Sequence, residues 1–415
     1  MTISMLGSLI GGIGLFLLGM RMMTDGLKYA AGSSLRNILE RSTRTPFLGI
    51  CTGAFLTSLV QSSSAVTVAT IGFVNAGLVD LGHAVSLVYG SNIGTTMTGW
   101  LVSLVGFKIN IKMFALPAIG LGMFLRISRS EGRYGAFGDV LTGFGVFFLG
   151  IEVLKTAFGS LGSNFQISGL AGEGVLALLL FVGIGFLLTF LMQSSSAAIA
   201  IILTAVAGGV VPLSDAAAVV IGANVGTTST AALSVIGATP NAKRLAGIHV
   251  LFNIFTGLGA FLALPFLLFG LQNIQTALGM GDSPLTLLAL FHTTFNLCGV
   301  LLFLPFSKRL VAFVGKRFRT AEEDESRPQF LDRNVLSTPG LALHALEMEL
   351  RRTGVIARRM AKGAISTETV PRKRHAVDKA VINKLNKAIG AFGNEMQKKN
   401  LPVELSNQLP NAMRV

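Results

Sequence analysis

One short polar stretch occurs twice in this chain, each time inside apolar sequence. The first copy reads Thr57-Ser-Leu-Val-Gln61-Ser62-Ser63-Ser64-Ala65 and the second Thr189-Phe-Leu-Met-Gln193-Ser194-Ser195-Ser196-Ala197. Each is followed by a second polar island, Gly90-Ser-Asn92-Ile-Gly94-Thr95-Thr96 and Gly222-Ala-Asn224-Val-Gly226-Thr227-Thr228. The glutamines at 61 and 193 and the asparagines at 92 and 224 are both 132 residues apart. The linkers hold the same register, with Gly77-Leu-Val-Asp-Leu81 facing Gly209-Val-Val-Pro-Leu213. A gapless offset across two motifs and the stretch between them is the mark of an internal duplication.

The apolar background decides what is duplicated. Runs long enough to cross a bilayer recur from the first residues to Phe306, so the chain reads as an all-α polytopic membrane protein. The first run lacks a small-residue cleavage site and is predicted to be retained as a span. Cys51 and Cys298 have no metal or redox spacing and are predicted to be small core residues. The net charge of +14 divides into +4 up to Phe306 and +10 beyond it. A basic region after a span marks the cytoplasmic side of a membrane, and nucleic-acid binding is not implied.

Taken in order, residues 3–20 form a first span, followed by a basic segment with Arg21, Lys28, Arg36, Arg41 and Arg44. Residues 46–60 are apolar but too short to cross, since a helix of that length extends about 22 Å. With residues 65–79 they are predicted to form a re-entrant hairpin broken at Gln61-Ser-Ser-Ser. Residues 83–105 and 109–125 are two further spans. The pattern then restarts, with Gly14-Leu-Phe16-Leu-Leu-Gly19 echoed by Gly145-Val-Phe147-Phe-Leu-Gly150. A second hairpin over 175–208 and spans at 214–236 and 245–269 complete the copy, and a last span at 284–306 has no partner.

Three full spans per copy is an odd number, so the second copy must lie upside down. The basic residues mostly agree: Arg126 to Arg133, Lys243, Arg244, Lys308 and Arg309 fall on the side of the first basic segment. Lys108, Lys112 and Lys155 fall on the other side. The division is therefore 1–135 for the first transmembrane repeat, 136–280 for the inverted second and 281–306 for the extra span. A linker over 307–340 leads to a tail at 341–415, whose stretches 341–364 and 375–398 read as amphipathic helices too charged to insert.

Serines at the start of a half-helix offer hydroxyls and unpaired backbone N–H groups at the positive end of the helix dipole, which suits a small oxyanion. Two such ends meeting near the midplane would make one pocket. In the Asn92 and Asn224 islands, glycines let the helix unwind, and Asn and Thr oxygens suit a hard cation such as sodium. None of the nine acidic residues up to Phe306 falls mid-span. That favours sodium over proton coupling, while His292, in His292-Thr-Thr-Phe-Asn296, keeps the second open. A nucleophilic role for Ser63 or Ser195 would need a base that neither copy supplies, so no enzyme is expected.

Paired Gln-Ser-Ser-Ser motifs with Gly-x-Asn-x-Gly-Thr-Thr islands downstream resemble the sodium-dependent phosphate cotransporters of the type II (Na/Pi) family, bacterial branch, over residues 1–310. The resemblance implies phosphate held by Gln61, Ser62, Ser63, Ser64, Gln193, Ser194, Ser195 and Ser196. Sodium would be held by Asn92, Thr95, Thr96, Asn224, Thr227 and Thr228, with Thr57, Thr189, His292 and Asn296 as further candidates. No bound cofactor is implied beyond co-transported sodium. The partners are inorganic phosphate, sodium, the lipid bilayer and a second copy in a homo-oligomer, in a bacterial inner membrane with the tail cytoplasmic. Bacterial relatives often carry a C-terminal domain like the PhoU phosphate-uptake regulator, and the tail resembles its beginning. A carrier of another oxyanion, an anion channel and a membrane-tethered regulator are the alternative functions.

Overall fold

The computed structural model describes residues 3–41, 45–75, 79–108, 111–128, 132–162, 174–318, 325–331, 336, 339–365 and 372–398. Among them the only regular structure is helical. The chain divides into two compact units, Met1–Phe318 and Arg319–Val415.

In the first unit α1 (Ile3–Arg41) is one continuous helix, so the basic segment expected after a span ending at residue 20 is still helical. It is followed by α2 (Pro46–Val60), α3 (Ser63–Asn75), α4 (Leu81–Thr95), α5 (Met97–Lys108) and α6 (Ile111–Ser128). Next come α7 (Arg133–Gly162), α8 (Val175–Met192), α9 (Ser195–Ala207), α10 (Leu213–Gly226), α11 (Thr228–Ser234) and α12 (Pro240–Leu262). Then α13 (Leu264–Ala277), α14 (Pro284–Phe303), a 3-10 turn (Leu304–Phe306) and α15 (Ser307–Gly315) close the unit. Six segments are long and apolar enough to cross a membrane: Ser4–Leu27, Arg133–Gly162, Val175–Met192, Leu213–Ser234, Pro240–Leu262 and Pro284–Gly315. The chain is thus a multi-pass membrane protein.

Local chemistry sets the helix ends. Thr45-Pro46, Thr239-Pro240 and Ser283-Pro284 each place a hydroxyl cap before a proline that needs no N–H partner. The expected span 83–105 is instead two helices that part at Thr96, and 214–236 parts at Thr227. There Thr96 Oγ1 bonds Ile93 O at 2.8 Å and Thr227 Oγ1 bonds Asn224 O at 2.6 Å, so each side chain competes for its own turn's carbonyls. The expected span 245–269 also breaks, at Ala263, because Pro265 cannot continue a helix. Cys51 and Cys298 are exposed, against the expectation of core positions.

Packing repeats with the sequence. A Cβ on Gly90 would stand 2.0 Å from Ile50 O, and one on Gly53 2.1 Å from Leu87 O. In the second copy, Gly222 would meet Val182 O at 1.9 Å and Gly185 would meet Val219 O at 2.0 Å. Every partner is shifted by the same 132 residues. Contacts that advance together in number make α2 parallel to α4, and α8 parallel to α10. Close backbone approach through small residues is how helices associate where lipid removes the hydrophobic drive between them.

The equivalent helices α1 and α7 face each other. Gly12 meets Leu154, Gly19 meets Phe147 and Gly143 meets Met23, a descending order that makes the pair antiparallel. The contact is reciprocal, since Gly19 approaches Phe147 N as Gly150 approaches Phe16 N, and the rings of Phe16 and Phe147 lie 4.7 Å apart.

In the second unit, α16 (Pro339–Ile365) and α17 (Arg372–Lys398) pack through Leu343, Leu346, Ile389, Phe392 and Met396. Buried Glu349 accepts from Gln329 N at 2.7 Å, Phe330 N at 2.9 Å and Arg352 Nε at 2.8 Å. Arg359 bonds Glu325 and Asp378, whose carboxylates hold its guanidinium pKa above the ordinary arginine value. Linker residues 319–324 and the tail past Lys398 lie outside the described residues.

The glycine contacts make a stability test. Gly90→Ala and Gly222→Ala are each expected to destabilise the purified protein by about 1–3 kcal/mol, as overpacking does. Gly120→Ala, whose Cβ meets nothing within 4 Å in the interior of α6, is expected to melt no lower than the parent protein.

Candidate functional site

The breaks at Gln61 and Gln193 have the same backbone. Both glutamines sit in the left-handed region, at φ 54 and 51, where non-glycine residues are uncommon. Each side-chain amide donates back to a carbonyl three residues earlier, Gln61 Nε2 to Ser58 O and Gln193 Nε2 to Phe190 O at 2.6 Å. Each amide oxygen then accepts from a threonine 37 residues on, Thr98 Oγ1 and Thr230 Oγ1, both at 2.9 Å.

The serines divide their work. Ser62 Oγ accepts from Ala65 N and Ser194 Oγ from Ala197 N, both at 3.2 Å, so the first serine of each run caps the helix that follows. The next serines, Ser63 and Ser195, open α3 and α9 and are buried, as is Ser196. The copies touch here: Ser196 Oγ lies 3.0 Å from Thr98 Oγ1 and 3.4 Å from Gln61 O.

Gln61, Ser62, Ser63 and Ser64 line one cavity of about 200 Å3 together with Gln193, Ser194, Ser195 and Ser196. Met20, Arg21, Thr24 and Asp25 of α1 complete the lining. Thr24 Oγ1 donates to Val60 O at 3.1 Å, which ties α1 to the end of α2. Arg21 and Asp25 form an exposed ion pair at 3.6 Å, the charged part of an otherwise neutral wall. Hydroxyls and helix N-termini on one side and a guanidinium on the other suit an anion, while the serine, threonine and amide oxygens suit a hard cation.

The other candidates lie elsewhere. Asn92, Thr95, Thr96, Asn224, Thr227 and Thr228 are buried but are not among the cavity's lining residues. Asn92 Nδ2 bonds Val88 O at 2.9 Å, Thr95 Oγ1 bonds Ser91 O at 2.9 Å and Thr228 Oγ1 bonds Val225 O at 2.7 Å. Asn224 departs from its counterpart, donating to Asn253 Oδ1 at 2.8 Å. Thr57 and Thr189 are buried beside Gly94 and Gly226, and neither hydroxyl has a hydrogen-bond partner among the described residues. The same holds for both ring nitrogens of His292 and for Asn296 Oδ1 on α14.

Reading the sequence alone misses Arg21, Thr24, Asp25, Thr98 and Thr230. The threonines carried a usable signal, since both lie on the 132-residue offset two residues after the islands. The α1 residues carried none, because nothing local shows which loop a distant helix will meet.

The family model described as Na+/Pi-cotransporter matches residues 15–156 and 175–278, more than half of the chain. YjbB of Escherichia coli, whose name proposes inorganic phosphate export, is 29% identical over 410 residues, covering 96% of this chain and 73% of that protein. YqeW of Bacillus subtilis, an uncharacterized protein, is 32% identical over 295 residues, or 70% of this chain and 91% of its own. The sodium-dependent phosphate transport protein 2A of Oryctolagus cuniculus is 30% identical over 106 residues, 25% of this chain and 16% of that protein. No solved structure matches the chain.

The division of labour among the serines is testable by melting. Ser62→Ala and Ser194→Ala are each expected to cost about 1 kcal/mol, the usual loss of a helix cap, whereas Ser63→Ala and Ser195→Ala should melt close to wild type.

Proposed function

The chain belongs to the Na+/Pi-cotransporter family, and on that footing we propose that it carries inorganic phosphate across the membrane together with sodium ions. It is a transporter, not an enzyme. The observation that carries the phosphate reading is the single cavity lined by all eight Gln-Ser-Ser-Ser residues from both copies. A multiply charged anion leaves water only where donors replace its hydration, and two helix starts with Ser63, Ser64, Ser195 and Ser196 supply them without a buried cation. Arg21 at the rim draws the anion in, and Asp25 holds its charge until then.

Sodium is proposed to sit where the Asn-Thr islands meet the serine loops. Gln61 Oε1 and Thr98 Oγ1 of the first copy converge there with Ser196 Oγ of the second, while Gln193 Oε1 meets Thr230 Oγ1 within the second copy. Asn92, Thr95, Thr96, Asn224, Thr227 and Thr228, buried at the ends of α4 and α10 and the start of α11, would contribute oxygens as their helices unwind. Sodium offsets the charge of the phosphate it travels with. A coupled carrier runs in either direction, as the gradients dictate.

The mechanism proposed is alternating access between two inverted repeats, each with a re-entrant hairpin. Two features of the packing support it. The equivalent helices α1 and α7 run antiparallel with reciprocal contacts, the signature of a two-fold relation. Because α2 and α4 are parallel neighbours, the chain must return through α3, and likewise through α9. A bacterial inner-membrane location with the tail cytoplasmic, and assembly as a homo-oligomer, complete the proposal.

Two outcomes test it. In proteoliposomes, radiolabelled phosphate is expected to accumulate above equilibrium under an inward sodium gradient and not under a matched potassium gradient, with Ser63→Ala and Ser195→Ala each cutting the rate strongly. Accumulation with either cation, or wild-type rates in both variants, would overturn the reading. For the inversion, cysteines placed at Lys155 and Lys243 should differ in labelling by an impermeant reagent in intact cells; equal labelling would refute it.

A further inference from the structure

Away from the serine cavity, the first unit carries a second concavity of different chemistry. Val235, Val250, Leu251 and Val314 help wall a groove of about 740 Å3, and among the described residues its charged lining residues are Lys243 and Arg317. The groove lies where α12 begins and α15 ends, the ends of two segments long enough to cross a membrane. That places it at the level where hydrocarbon gives way to headgroups.

The surroundings fit that level. Helix α15 reads Ser-Lys-Arg-Leu-Val-Ala-Phe-Val-Gly, with Leu310, Val311 and Val314 packed on the core shared with α12 and the cations Lys308 and Arg309 at its start. A short helix of this pattern suits the plane of the interface. Phe313 and Phe318, at the groove, are half exposed, and the guanidinium carbon of Arg317 lies 5.6 Å from the Phe313 ring centroid. Buried Arg244 fixes the corner, donating Nε to Arg317 O at 3.1 Å and Nη1 to Asn241 Oδ1 at 2.8 Å. Lys243 and Arg317 thus line the same apolar trough.

We propose that this groove is a binding site for an anionic phospholipid, with an acyl chain along Val250, Leu251 and Val314 and the phosphate at Lys243 and Arg317. Free phosphate would gain nothing from apolar walls, and a neutral lipid would leave the two cations without a counter-charge. The combination calls for both parts in one molecule.

The test uses the full chain purified in mild detergent, with lipids retained on the protein counted by native mass spectrometry. Phosphatidylglycerol should be retained at concentrations roughly tenfold or more below those needed for phosphatidylcholine of the same chains, the preference two near-surface cations confer. The Lys243→Gln/Arg317→Gln double variant should lose that preference. Gly247→Leu, which fills the trough and keeps both cations, should lose retention of both lipids; thermal melting checks that each variant is folded. Equal retention of the two lipids by wild type, an unchanged preference in the folded double variant, or displacement of phosphatidylglycerol by inorganic phosphate would each overturn the assignment.

Discussion

A helix that begins inside an apolar bundle carries backbone N–H groups that nothing nearby will satisfy, and the structure is arranged around two such starts. Helices α3 and α9 open at Ser63 and Ser195, both buried. Water is scarce there, so the first-turn donors must be met from within. Ser62 and Ser194 satisfy one each as caps. Both serine loops line one shared cavity, and in the function proposed above an anion there does what water would do elsewhere. In that proposal the feature that would weaken an ordinary membrane helix becomes the reason for binding.

Holding two loops against each other demands rigid supports. The left-handed glutamines break each helix, and their amides are locked on both sides, by a carbonyl before and a threonine after. Behind them, glycines bring α4 onto α2 and α10 onto α8 at backbone contact, leaving no room for slippage. A single added methyl there would push against a carbonyl, not against a side chain that can turn away. The copies differ where they meet: Gln61 is buried and its backbone receives Ser196, whereas Gln193 is exposed. An arrangement that is symmetric in sequence and asymmetric in exposure fits the alternating access proposed above.

The helical class, the broken motifs and the two tail helices are legible in the sequence because each follows from local composition. Hydrophobic length sets the spans, and the charged 3.6-residue pattern sets α16 and α17. Helix interruptions are less legible. Thr96 and Thr227 divide segments that hydropathy joins, because hydropathy counts a threonine methyl and not where its hydroxyl bonds. Pro265 was a readable stop that apolar neighbours on both sides concealed. Of the cavity, the serine loops can be found by repetition, yet Arg21, Thr24 and Asp25 come from a helix whose position depends on Gly19, Gly143 and Gly150 packing far along the chain. Such contacts are tertiary, and no local pattern encodes them.

The two serine loops are proposed to build one anion site and not two. Equilibrium binding of radiolabelled phosphate to the purified protein, in sodium and in potassium, measures this most directly. One phosphate per chain is expected, bound in sodium, and lost when the serines of either loop alone are replaced. Two phosphates per chain, with each loop losing only its own when altered, would contradict it.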